Sequence, residues 1–154
     1  MSYLYSAVSS AAASDPLVET GAGEILVKLG EPSRNNPPDV ISFGSVNRRI
    51  RWESFIGSGG TDSLYELYDI DVQIHSWLAY GDVSDDSTVA LQVIQRAWLL
   101  ESYVESAVRA DPSFGGLVDI AYPSASNSNS PEWSGDPTGL LVSISLPIHV
   151  EATI

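Results

Sequence analysis

The stretch from Ser84 to Arg109 constrains the fold of this chain more than any other part of it. Small and apolar residues recur there at alternating three- and four-residue steps, namely Ala90, Val93, Ala97, Leu100, Val104 and Ala107. This spacing describes one face of an α-helix. Polar residues fall on the opposite side, namely Gln92, Gln95, Arg96, Ser102, Glu105, Ser106 and Arg109. The pattern predicts a surface helix over about 86–110 with one buried stripe.

Both ends of this helix carry stop signals. Asp85, Asp86 and Ser87 offer side-chain oxygens to the unpaired amides of the first turn, and the two carboxylates suit the positive end of the helix dipole. At the other end Arg109 suits the negative end of the dipole, and Pro112 cannot continue the helix. We therefore expect one long central helix.

Alternation of apolar and polar side chains predicts strands on both sides of this helix. In 67–78, Ile70, Val72 and Ile74 point one way while the residues between them point the other. The segment 140–152 alternates in the same way. Pro147 cannot donate to a strand ladder, so it must lie at an edge or face away from its paired neighbour. Shorter strands are expected at 25–29, 40–43, 47–55 and 117–122, and a short helix over Leu4 to Ala11.

These elements predict a single domain over residues 1–154. The expected class is α+β, with a largely antiparallel or mixed β-sheet packed against one long central helix (about 86–110) and a short N-terminal helix. A chain of 154 residues is about one domain. Segments rich in Pro, Gly, Ser and Asn predict flexible loops at 31–38, 56–63 and 123–138.

The charge of the chain argues against several classes of function. The formal net charge is −13 and Lys and Arg together number 7, too few cations for a surface that binds nucleic acid through its phosphates. Cysteine is absent, which excludes disulfides and thiolate metal sites and fits a reducing cytoplasm. We expect no signal peptide and no segment apolar enough to span a bilayer.

The sequence carries no recognisable catalytic motif. It lacks the glycine-rich nucleotide loops, the nucleophile elbow and the zinc-protease helix motif. Asp69 and Asp71 share a strand face, which is more typical of a solvated surface than of an acid–base pair. His75 and His149 are the only histidines, and no spacing brings them together. We therefore expect no catalytic residue, no cofactor and no metal.

Arg48, Arg49 and Arg51 are three of the seven cations of this acidic chain, and they lie beside Trp52 and Glu53. Two explanations account for these arginines equally well. Either they simply lie on an exposed surface strand, or they bind acidic residues of a neighbouring copy. Aromatic residues such as Trp52 are also enriched at protein interfaces. These five residues form the candidate subunit interface.

Four segments along the chain share a pattern with one family. They are SDPLV at 14–18, YDIDVQIH at 68–75, VRADPSFGGLV at 108–118 and GLLVSISLPIHV at 139–150. In this order the chain resembles the tail terminator (tail completion) proteins of long-tailed bacteriophages. The resemblance covers most of the chain and rests on the pattern of its elements.

The resemblance implies a structural virion protein without a reaction. Such a protein assembles in the host bacterial cytoplasm as a homo-oligomer, a six-membered ring in the tail and neck region of the virion. The ring lies at the head-proximal end of the tail tube, ends tube growth, and joins the tail tube protein to the head-completion or connector protein. Genomic DNA passes through its lumen without specific binding, and no membrane is involved. A negatively charged lumen would repel that DNA.

Two other interpretations stay open at this point. A head-completion or neck protein, acting as a stopper or adaptor, forms a ring one layer nearer the capsid. A small α+β enzyme or ligand-binding module would instead be a monomer or dimer. Its pocket would be lined by Tyr68, Asp69, Asp71 or His75.

Overall fold

The computed structural model describes residues 1–31, 37–53, 63–80, 86–124, 131–136 and 138–153, with only the backbone of 52, 53, 63, 86 and 136. The helices are α1 (Ser2–Ala13), α2 (Pro16–Glu19) and α3 (Asp86–Ala110). The strands are β1 (Ile25–Leu29), β2 (Asp39–Glu53), β3 (Ser63–Ala79), β4 (Ile120–Pro123), β5 (Glu132–Asp136) and β6 (Gly139–Thr153).

All six strands belong to one mixed sheet. Its order is β1-β2-β3-β6-β4, and β5 also pairs with β6. β1 runs parallel to β2, while every other pair is antiparallel. The three long strands β2, β3 and β6 form the centre of the sheet, and they are 15, 17 and 15 residues long.

The predicted fold class is wrong in what it takes as the organising element. We expected an α+β domain arranged around one long central helix, whereas most of the regular structure is β-sheet and the helices are the smaller part. The physical reason is the length of β2, β3 and β6, which supply more of the buried apolar residues than the single stripe of α3 does. α3 lies across this sheet as a cover.

Two predicted strands are one strand in the structure. Segments 40–43 and 47–55 join as β2, because a bulge between Phe43 and Val46 lets the strand continue past Gly44. Part of the predicted loop 123–138 is also a strand, since β5 forms a hairpin with the start of β6. The predicted loops 31–38 and 56–63 lie largely outside the described residues, as does the capping residue Asp85.

The core lies between the sheet and the two longer helices. Alternate residues of the central strands point to this side, including Phe43, Ile74 and Leu146, and they contact Leu4 of α1 and Leu100 of α3. We call this the helix side of the sheet. On α3 the buried residues are Val89, Val93, Ile94, Ala97, Leu100, Val104 and Val108, while Ala90 and Ala107 are only half buried.

The other side of the sheet, which we call the open face, carries the polar residues of the same strands. Asp69, Asp71, Gln73 and His75 alternate with the buried residues of β3, as predicted. Pro147 lies on this face in β6, opposite Asp71. Its carbonyl accepts the Ser124 N–H at 2.7 Å, so its nitrogen also faces away from β3, and the β3–β6 ladder loses no hydrogen bond there.

Candidate subunit interface

At one end of the sheet, a strand edge has no partner strand among the described residues. β1 pairs with β2 only over Asp39 to Phe43. Past the bulge, residues 46–50 of β2 pair with β3 on one side, and no described strand pairs with them on the other. A row of unpaired backbone N–H and C=O groups favours pairing with another chain. We call this part of the molecule the sheet end.

The candidate arginines lie in the sheet end but do not share one surface. Arg48 points to the helix side and forms an ion pair with Glu66 of β3. Arg49 points to the open face and forms an ion pair with Asp69. Arg51 lies on the same face as Arg49 by its position in the strand. The side chains of Trp52 and Glu53 lie outside the described residues, so their place in the interface stays a prediction.

Both ion pairs leave the arginines able to bind a further group. The side chains of Arg48 and Arg49 are 55% and 69% exposed. A guanidinium has five N–H donors, and each in-chain carboxylate occupies a fraction of them. The carboxylates of β3 therefore hold the two arginines in place at the surface.

The open face carries a charged cluster that the sequence did not reveal. His149 Nδ1 lies 2.8 Å from Asp69 Oδ1, and His149 Nε2 lies 3.4 Å from Glu151 Oε1. Hydrogen bonds from His149 and Arg49 lower the pKa of Asp69. The Tyr122 ring lies over His149 at a centroid distance of 5.1 Å. These contacts join β2, β3, β4 and β6, so they fix the face as one surface.

A second histidine lies further along the open face. His75 Nδ1 is 2.9 Å from Ser143 Oγ, and burial lowers the pKa of His75. Asp71 accepts hydrogen bonds from Gln73 Nε2 at 2.9 Å and from Ser145 Oγ at 3.0 Å. Among the described residues, no three His, Asp or Glu side chains converge to hold a metal ion. The polar side chains of this face are thus satisfied by their neighbours.

A groove lies on the helix side of the sheet end, next to Arg48 and Glu66. Its volume is about 460 Å³. Its lining includes Val46, Tyr68, Ile70, Phe114, Leu117 and Val150. Leu117 is 71% exposed and Val46 is 44% exposed. We call this the sheet-end groove. Of the residues expected to line a pocket in the enzyme interpretation, the groove contains Tyr68. The other three, Asp69, Asp71 and His75, lie on the open face.

A buried ionic cluster around Arg96 lies at the opposite end of the molecule. Asp15 is fully buried. Its Oδ2 accepts from Arg96 Nη1 at 2.7 Å and from Tyr103 Oη at 2.7 Å, and its Oδ1 accepts from the Leu17 N–H at 2.9 Å. Arg96 Nε also donates to Asp39 at 2.7 Å. The guanidinium of Arg96 thus joins α2, β2 and α3. The sequence pattern had placed Arg96 on the polar side of α3.

The Arg96 cluster perturbs the ionisation of its members. Burial alone would raise the pKa of Asp15, but the hydrogen bonds from Arg96, Tyr103 and the Leu17 amide outweigh it and lower the pKa to about 2. Burial and the bond to Asp15 raise the pKa of Tyr103 to about 12. A cavity of about 430 Å³ borders Asp39, Ser76 and Arg96. Because both carboxylates already bind Arg96, the cluster acts as a structural clasp.

The clasp predicts acid sensitivity. Asp15 has a folded pKa of about 2 against a usual 3.8, so its ionised form stabilises the fold above pH 4, and this contribution is lost as the pH falls through 2. The shift corresponds to about 2 kcal/mol. We expect Asp15→Asn to reduce the free energy of unfolding at pH 6, with the difference from wild type shrinking toward pH 2. Urea unfolding at several pH values measures this, and a difference independent of pH would contradict it.

No family model matches this chain, and no curated protein has a matching sequence. In the part of the chain that the structure describes, no helix is both long and apolar enough to cross a membrane.

Proposed function

We propose that this chain is a structural virion protein that forms a ring at the head-proximal end of a phage tail tube. The ring ends tube growth and joins the tail to the head connector. The observation that carries the proposal is the sheet end, where residues 46–50 of β2 present an edge with no partner strand among the described residues. A long, exposed strand edge beside exposed apolar side chains favours association with other chains.

The arrangement of side chains supports assembly better than catalysis. The histidines and carboxylates of the open face are bound to one another across strands. Most residues that line the groove of the sheet end are apolar, although polar and apolar atoms share its exposed surface equally. A surface of this kind suits contact between proteins, since interface cores are poor in charge and rich in apolar and aromatic residues. The resemblance to tail terminators in segment pattern points the same way.

The acidic charge supports a role beside DNA without binding it. A net charge of −13 repels the phosphate backbone, so DNA crossing a ring of such subunits would pass without adhering. In this proposal the genome is a passing cargo. The working site is the virion tail and neck, and the ring assembles in the host cytoplasm.

Reversal of charge at Arg49 tests the role of the sheet end. Arg49 is mostly exposed beside Asp69, so Arg49→Glu would repel that carboxylate and remove a cation from the contact between copies. We expect the ring to dissociate at a protein concentration about tenfold higher than for wild type, which corresponds to a loss of about 1.4 kcal/mol of association free energy. The triple change at Arg48, Arg49 and Arg51 should have a larger effect. Native mass spectrometry across a dilution series measures the loss.

Lys28→Glu is the matched control for this charge reversal. Lys28 lies in β1, away from the sheet end, and the change in net charge is identical. The control should assemble like wild type. If Arg49→Glu and Lys28→Glu give the same mass spectra, the sheet end does not form the contact.

A binding assay separates the terminator from the neighbouring neck ring. Purified tail tubes should bind the protein at one end and stop elongating, while isolated portal complexes should not. A head-completion protein would give the reverse result, binding the portal and leaving tube growth unchanged.

A further inference from the structure

One line of paired residues crosses the sheet between two strand edges. It runs across β2, β3, β6 and β4 through Asn47, Asp69, His149 and Tyr122, each paired with the next. The line begins in residues 46–50 of β2 and ends in β4, and no described strand pairs with the outer side of either. Such an edge offers backbone N–H and C=O groups to another strand. We call the outer side of β4 the β4 edge.

The directions of the four strands fit a sheet that continues from one copy to the next. Each neighbouring pair along the line is antiparallel, so β4 runs opposite to β2. A second copy in the same orientation would therefore bring its β2 beside β4 as a further antiparallel strand. The same step, repeated around an axis, closes a ring through two different surfaces of one chain.

The two edges carry opposite charges. Arg48 and Arg49, two of the seven cations of the chain, lie at the sheet end, and both stay more than half exposed in their ion pairs. Beside β4, Asp119 is exposed and the side chain of Glu151 is 38% exposed. Residues 110–154 contain no Lys or Arg and carry five acidic residues, namely Asp111, Asp119, Glu132, Asp136 and Glu151. Opposite charges favour contact between the two different edges and disfavour contact between like edges.

Apolar side chains are exposed at both edges as well. Val46 and Ile50 are exposed at the sheet end, and Ile120 and Tyr122 are exposed in β4. Pairing of the two edges would remove part of this surface from water, which adds to the free energy gained from backbone hydrogen bonds.

We propose that residues 46–50 of one copy pair with β4 of the next copy, so that one sheet continues through the ring. This inference rests on the proposed ring and names the two surfaces that meet in it. The open faces of neighbouring copies then become continuous, which brings Arg49 of one copy next to Tyr122 and Glu151 of the other. The Tyr122 ring can receive the guanidinium in a cation–π contact, and Glu151 supplies the opposite charge.

Disulfide cross-linking tests this pairing, because the chain has no cysteine of its own. Asn47→Cys/Tyr122→Cys places one thiol on each edge, and Asn47→Cys/Ile120→Cys moves the second thiol by two residues to cover another register. Within one copy these positions lie at least three strand spacings apart, about 14 Å, whereas a disulfide spans roughly 7 Å at most between Cα atoms. Every bridge must therefore join two copies. Mild oxidation should convert at least one double variant into covalent species of up to six subunits on non-reducing gels.

The matched controls are the single variants Asn47→Cys and Tyr122→Cys and the double variant Lys28→Cys/Tyr122→Cys. None should form covalent species, because like edges do not meet and Lys28 lies in β1, outside the sheet end. Covalent dimers of a single variant would show that like edges meet. Bridges in Lys28→Cys/Tyr122→Cys alone would show that β4 meets β1. Absence of bridges in both Asn47 double variants, with the fold verified by circular dichroism, would show that the two edges do not meet.

Hydrogen exchange of the wild type gives a second measurement that needs no variant. Amides in residues 46–50 and in β4 should exchange more slowly in the assembled protein than after dilution to single subunits. Equal exchange at both edges in the two states would overturn the inference.

The inference and the proposed ring fail separately. A wild-type ring in which neither edge is protected, and whose double variants form no bridges, keeps the ring and removes this contact. Bridged species that grow without closing keep the contact and remove the ring. A wild-type monomer at every concentration, together with unbridged double variants, removes both.

Discussion

Replacement of Arg96 by methionine is expected to lower the free energy of unfolding by about 3–5 kcal/mol. Methionine fills much of the same space but leaves Asp15 and Asp39 without their shared cation. Asp15 is fully buried, so its uncompensated carboxylate would have to take up a proton or open the structure to water. Since α2, β2 and α3 meet at this guanidinium, loss of the clasp should loosen that whole end of the molecule.

Urea unfolding of wild type and Arg96→Met at pH 7 measures this difference. Arg109→Met is the matched control, because Arg109 forms an exposed pair with Glu105 at 2.9 Å one helical turn away, and such pairs contribute roughly 0.3–0.5 kcal/mol. A loss below about 1 kcal/mol in Arg96→Met, comparable with an exposed pair, would mean that water already solvates the two carboxylates.

Gly139→Ala is expected to destabilise the fold by about 3 kcal/mol, the upper part of the range for overpacked sites. Gly139 is buried at the start of β6, opposite Ala79 of β3. A Cβ there would lie 2.6 Å from the Leu78 carbonyl oxygen and 2.6 Å from two carbons of the Trp77 indole. The indole can rotate away, but the carbonyl belongs to the backbone of β3, so the two strands must separate.

Thermal or urea unfolding of Gly139→Ala measures this loss. Gly44→Ala is the control, since its nearest contact would be an ordinary 3.5 Å from the Asp71 carbonyl oxygen, and we expect a change below about 1 kcal/mol there. Equal midpoints for the two variants would show that β3 and β6 adjust without cost at this turn.

The periodicity of the chain predicted the faces of its long strands well. Ile70, Val72 and Ile74 are buried, and Asp69 and Asp71 lie on the open face, because each strand residue must turn opposite to its neighbour. The backbone nitrogen of Pro147 faces away from β3, as predicted, because it has no N–H to donate to the strand ladder. Such local rules hold because a single strand or helix decides them.

The fold class could not be predicted because it depends on pairing between distant segments. A bulge at Phe43 and Val46 merged two short patterns into one strand, and nothing in their composition signals the merger. β5 has little apolar alternation and exists because β6 offers an edge to it. These pairings are the reason that strands make up more of the regular structure than helices do.

The contacts around the candidate interface likewise depend on pairing between distant segments. The sequence drew attention to Arg48, Arg49 and Arg51, but alternation along β2 divides them between two faces. The pair of Asp69 with His149 joins positions 80 residues apart, so no local spacing could indicate it. The sequence pattern predicted Arg96 as a surface residue because it lies at the edge of the buried stripe of α3. Its long side chain nevertheless reaches two buried carboxylates.

The most direct test of the central claim is the shape and mass of the purified wild-type protein. Native mass spectrometry, combined with negative-stain electron microscopy of the same sample, measures both. Our account predicts six subunits in a ring with a central hole. A single subunit at every concentration, without any ring in the images, would contradict it.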